Sequence, residues 1–104
     1  MKKIVIDGSA FNNMDSFYTE IEKKFTSGLT WEVGRNLNAF NDILWGGFGV
    51  HEYGEEICIE WIDSEKSRVD LGYKESEEEY TFFDNIIEII ISHENNHNIK
   101  LSLH

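Results

Sequence analysis

The 104-residue sequence is poor in positive charge, in cysteine and in long apolar runs. Nine Lys and Arg residues stand against twenty Asp and Glu, a formal net charge of −11. A chain this short of cations has little with which to neutralise phosphates, which argues against a nucleic-acid backbone or an anionic membrane as its partner. The counterpart that such a surface suits is basic. A purely solubilising role for the acidity is the competing explanation.

A single cysteine, Cys58, excludes an intramolecular disulfide. It lies in the apolar run ICIEWI and reads as a reduced core thiol, which fits a reducing compartment. No apolar segment reaches transmembrane length, and after Lys2 and Lys3 only a few apolar residues precede Asp7, too few for the h-region of a signal peptide. The expectation is a cytoplasmic protein. With 40% hydrophobic and 13% aromatic residues, the chain supports one domain over residues 1–104. At this length a core buries roughly two-thirds of the unfolded surface.

Lys2 to Asp7 (KKIVID) is a β-branched run closed by the turn dipeptide Asp7-Gly8, and predicts a first strand. Asn13 is placed to cap a helix in which Met14, Phe17, Tyr18, Ile21 and Phe25 recur at three and four residues, with Glu20, Glu22, Lys23 and Lys24 on the outer face. After TSGLTWEVG, Asn36 is placed to cap a second helix that Gly46-Gly47 ends. Its Leu37, Phe40 and Leu44 share an inner face, whereas Asn38, Asn41 and Asp42 point outward.

Ile57 to Ile62 is nearly continuous in apolar residues and reads as a central strand covered on both faces. From Glu75 onward, Tyr80, Phe83, Ile86, Ile87, Ile90 and Ile91 predict a last helix whose first turn is rich in glutamates. Ile99, Leu101 and Leu103 alternate with Lys100, Ser102 and His104, as in an edge strand. Asp63 to Lys74 reads as a short helical turn and a loop. Such alternation predicts an α/β fold, a small three-stranded parallel sheet with helices packed against it.

HENNH at His93 to His97 matches H-E-x-x-H, which on one helix face would offer two imidazoles to zinc and Glu94 as general base. It falls where the apolar stripe runs out among asparagines, so a polar helix end is the reading adopted, with a zinc enzyme using His93, Glu94 and His97 as an alternative. WGGFG at Trp45 to Gly49 lacks the Lys-Ser/Thr of a phosphate loop and reads as a turn. No nucleophile motif or acid/base dyad stands out. Neither enzymatic chemistry, a cofactor nor a metal is expected.

The stretch GRNLNAFNDIL, within this order of elements, resembles the barstar family of intracellular ribonuclease inhibitors; KKIVIDG, EICIEW and the terminal strand fit the same layout. Gly34, Asn36, Leu37, Ala39, Asp42 and Leu44 match the family's helix pattern. The resemblance implies that the second helix and its preceding loop form the recognition surface, with Asp42 at the position whose carboxylate enters the enzyme's phosphate-binding pocket. Asn38 stands for an acidic contact there, Asn41 for a tryptophan, Arg35 for a glutamate and Glu32 for a tyrosine, which implies a cognate enzyme of its own. Glu88 takes the place of a contributing glutamate on the last helix.

The partner-binding set expected is therefore Trp31, Glu32, Gly34, Arg35, Asn38, Asn41, Asp42, Trp45 and Glu88, with Trp31 and Trp45 as apolar anchors. Fixed carboxylates can occupy the cationic site with which a ribonuclease holds RNA phosphates. The partner implied is a basic ribonuclease or related toxin domain bound one to one by a monomer. An immunity protein of the same shape against a toxin of another activity is the alternative.

Overall fold

A computed structural model describes residues 2–26, 36–45, 56–74, 80–94 and 99–104, with the backbone alone described at Trp45. Strands β1 (Lys2–Asp7), β2 (Ile57–Ile62) and β3 (Ile99–Leu103) form one parallel sheet in the order β1-β2-β3. The register aligns Ile4 with Ile59 and Ile59 with Leu101. Helices α1 (Met14–Phe25), α2 (Leu37–Trp45), α3 (Ser64–Asp70) and α4 (Phe82–Glu94) complete the α/β fold, with a 3-10 turn over Gly8–Ala10. The central strand and the edge strand are those the sequence predicts.

Because strand side chains alternate, this register gathers Ile4, Ile6, Ile57, Ile59, Trp61 and Ile99 on one face of the sheet, where all six are buried. They join Phe17, Ile21 and Phe25 of α1, Phe40, Ile43 and Leu44 of α2, and Phe83, Ile86 and Ile90 of α4 in one hydrophobic cluster. At its centre the Trp61 ring stacks on Phe17 at 5.9 Å and meets Phe83 edge-on at 5.5 Å. The indole N–H donates to Ser67 Oγ at 2.9 Å, which satisfies a buried donor that an apolar neighbour would strand.

The opposite face of β2 is not covered as the sequence suggests. Cys58 and Glu60 are half-buried, and Ile62 is 37% exposed. Glu60 pairs with Lys3 of β1 at 3.2 Å, so a cross-strand charge pair occupies part of that face in place of packed apolar side chains. Cys58 is consequently a half-buried free thiol, not a core one.

Helix α1 begins as expected. Asn13 Oδ1 accepts from the Ser16 N–H at 2.8 Å, and Ser16 Oγ accepts in return from the Asn13 N–H at 3.2 Å. Glu20, expected on its outer face, is instead only 4% exposed. Its carboxylate accepts the Asp7 N–H at 2.9 Å and lies 3.3 Å from Lys24 Nζ, and these partners offset the cost of burying the charge.

Residues 63–74, read from the sequence as a short helical turn and a loop, hold a seven-residue helix, α3, whose buried positions are Ser64 and Ser67. It starts from Asp63 in the left-handed region at φ 53° and delivers Leu71 to the core. Helix α4 starts later than predicted. Thr81 Oγ1 accepts from the Asp84 N–H at 3.1 Å, so the first turn holds Asp84 and leaves Tyr80 outside the helix and exposed. Its buried stripe is Phe83, Ile86, Ile90 and His93; Ile87 is half-buried and Ile91 exposed. The glutamates expected in its first turn lie at 75–79, outside the described residues, as do Gly46 and Gly47.

Candidate functional site

Asn36 caps α2 as its sequence suggests, its Oδ1 accepting the Ala39 N–H at 2.8 Å. The apolar face of the helix is driven into the core: Phe40, Ile43 and Leu44 are buried, and Phe40 meets Phe17 edge-to-face at 5.6 Å. Full burial of side chains of this size contributes about 2 kcal/mol each, enough to hold a nine-residue helix that would not persist alone.

Geometry then decides the outer face. Asn38 and Asp42, one turn apart, are both exposed and lie side by side. Asn41, which the periodicity throws outward, is half-buried: its Oδ1 lies 2.7 Å from Nε2 of His93 on α4. An amide oxygen only accepts, so Nε2 carries the proton. His93 is 2% exposed. The pair is a polar clasp on the α2–α4 seam, formed by the residue that precedes Asp42.

His93 is the site residue that sequence reasoning missed. The signal is present, because position 93 extends the buried stripe 83, 86, 90 by three, whereas the sequence reading places His93 in a polar helix end, beyond the apolar stripe. Both described members of that motif have structural duties, since Glu94 Oε1 accepts the Leu101 N–H of β3 at 3.2 Å. His97 lies outside the described residues. Among the described residues no cluster of three or more His, Cys, Asp or Glu is arranged to hold a metal ion.

Glu88 is exposed on a different flank of α4. It lines a groove of about 340 Å3 with Arg68, Tyr80, Phe83, Asp84, Ile87 and Leu103. Five positions separate it from His93, a rotation of about 140° around an α-helix, so it does not share the side of α4 that meets α2. Trp31, Glu32, Gly34 and Arg35 lie outside the described residues, as does the Trp45 side chain. The described site thus brings together Asn38, Asp42, Asn41 and His93.

A family model described as Barstar (barnase inhibitor) matches residues 1–102. The chain belongs to the barstar family. Members of this family are inhibitors of ribonucleases such as barnase, not enzymes, and the three-stranded parallel sheet with its packed helices agrees with that membership. A search of curated proteins returned no match. Within the barstar layout, α2 presents an exposed aspartate from a helix anchored by Phe40, Ile43 and Leu44. Among the described residues no helix is long and apolar enough to cross a membrane.

Proposed function

We propose that this chain, acting as one domain in the cytoplasm, inhibits a basic ribonuclease or related toxin domain by covering its active site with α2 and the loop before it. The observation that carries the reading is the exposed carboxylate of Asp42 on a helix fixed to the core, in a chain that matches the barstar family nearly end to end. A carboxylate held in place before binding loses little freedom on docking, and it replaces the phosphate that the enzyme's cations would otherwise hold. The charge of −11 draws a cationic partner in from a distance.

Asn38 and the residues at 31, 32, 34, 35 and 45 complete the surface in this reading, and Glu88 joins it only for a partner large enough to reach round α4. Asn41 contributes from beneath, through His93. A surface with one central carboxylate and an amide at 38 favours a cognate enzyme distinct from barnase. A toxin of another activity, with a similarly cationic site, is the second reading.

The test is capture on the immobilised chain from a lysate of the native host, followed by titration of the captured protein's nuclease activity. A small basic ribonuclease silenced at one equivalent is the expected result. Capture of a basic toxin without ribonuclease activity would move the assignment to the second reading, and a partner whose activity survives saturation would overturn both.

A further inference from the structure

In a three-stranded sheet each outer strand turns a row of backbone donors and acceptors away from its neighbour, a template on which another strand can pair. On β1 the Lys2 N–H donates to Glu56, so Lys3, Val5 and Asp7 direct their backbone groups outward. A parallel strand added there would set one residue opposite Ile6, giving its N–H to the Val5 carbonyl and taking the Asp7 N–H on its own carbonyl. The protein already fills both stations. Lys24 Nζ donates to the Val5 carbonyl oxygen at 3.0 Å, and Glu20 Oε2 accepts the Asp7 N–H at 2.9 Å. The side chains doing so lie one turn apart on α1 and pair with each other at 3.3 Å.

The other edge is treated alike. His104 donates its N–H to Trp61, which turns the Leu101 N–H outward from β3, and Glu94 Oε1 accepts it at 3.2 Å. We infer that the Glu20–Lys24 pair stands in for one residue of a fourth strand and closes the sheet of this chain to pairing with a second copy of itself. The inference explains why a glutamate is buried in α1 at a position that helical periodicity assigns to solvent. The occupant excluded is a second copy because opposite open edges of two parallel sheets are mutually complementary, β1 of one against β3 of the next, and on each edge a helix glutamate takes an outward N–H.

The variant that opens the edge is Glu20→Leu, which fills the buried site and removes the acceptor; Glu20→Gln retains an acceptor and is the control. Amide exchange followed by NMR, with Ile59 of β2 as the reference for global opening, should show the Asp7 amide exchanging at least about tenfold faster in the Leu variant and little changed in the Gln variant. Sedimentation equilibrium over a concentration series should show the parent and Glu20→Gln as monomers and Glu20→Leu associating. A second variant, Lys24→Met, keeps the side-chain stem at a partly exposed position and opens the Val5 carbonyl alone; it should associate too, and it decides the matter where Glu20→Leu does not fold. A folded edge variant that stays monomeric at the highest concentration, or a parent that itself associates, would overturn the closure.

Discussion

Asn41 and His93 meet across the seam between α2 and α4, Oδ1 to Nε2 at 2.7 Å, with the imidazole almost wholly out of solvent. Asn41→Ala removes the acceptor from a buried N–H and should cost about 1–3 kcal/mol of stability. Replacing both partners together, Asn41→Leu with His93→Phe, should cost less than the sum of the single changes, because neither then strands the other. Urea unfolding of the parent, of Asn41→Leu and His93→Phe singly, and of the two together gives the coupling directly, and Asn41→Ala is measured beside them. An Asn41→Ala midpoint equal to the parent's would mean that the clasp holds nothing.

A second prediction concerns the close contact beneath Trp61. A Cβ on Gly8 would lie 2.6 Å from the Ile62 carbonyl oxygen, 2.6 Å from Ser67 Oγ and 2.7 Å from the Asp63 carbonyl oxygen. Gly8→Ala therefore has to displace β2 or α3 and should destabilise by about 1–3 kcal/mol. Ser67→Ala should cost a similar amount for another reason, the loss of the acceptor for the buried indole N–H. In the double variant the Gly8 penalty should persist, since the two backbone carbonyls remain. Thermal unfolding of the set checks this, and relief of the Gly8 penalty by Ser67→Ala would show the backbone contacts to be soft.

Asp7 offers a prediction in pH. The side-chain and backbone donors of Ser9, both on Asp7 Oδ1, hold its carboxyl below the ordinary carboxylate range, with Lys24 and Lys23 adding to the effect. A folded-state value below the unfolded one means that this interaction stabilises the protein at pH values above the ordinary range and that the contribution is lost as pH falls through the folded value. Ser9→Ala should raise the Asp7 titration midpoint measured by NMR, and the stability it costs relative to the parent should shrink as pH falls through the folded value. An unmoved midpoint would remove Ser9 as the cause.

How far the sequence revealed this arrangement depended on how local each cause was. The capping of α1 by Asn13, the inner face of α2 and the alternation along β3 follow from spacings of a few residues, and they could be read. Of α3 only a short helical turn could be read, because its buried positions are serines and leave no apolar period to give its length. The burial of Glu20 could not be read, because its partner is a strand amide thirteen residues away. At the candidate site the same divide falls between neighbouring residues: Asp42 is exposed as helical geometry requires, whereas the orientation of Asn41 is set by a histidine 52 residues downstream.

The charge balance yields a prediction about rate. With −11 on this chain and the cationic partner proposed for it, encounter should be steered over distances that salt screens, the Debye length shrinking from about 30 Å at 0.01 M to about 8 Å at 0.15 M. The association rate should fall steeply across that range while dissociation changes little. Stopped-flow mixing with the captured toxin measures both. An association rate independent of salt would count against steering.

The decisive variant for the interface is Asp42→Ala. The side chain is exposed on α2, and its backbone sits mid-helix, where alanine is the better helix former, so stability should change by no more than about 0.5 kcal/mol. Affinity for the captured toxin should instead drop by about 2 kcal/mol or more, because basic groups arranged to receive the carboxylate are left buried and unpaired. Glu22→Ala on α1 removes the same charge from a helix that takes no part in the proposed surface. It should slow association slightly and leave dissociation alone. Titration calorimetry with both variants separates a contact from bulk charge: equal losses would assign Asp42 to general acidity and move the recognition surface away from the exposed face of α2.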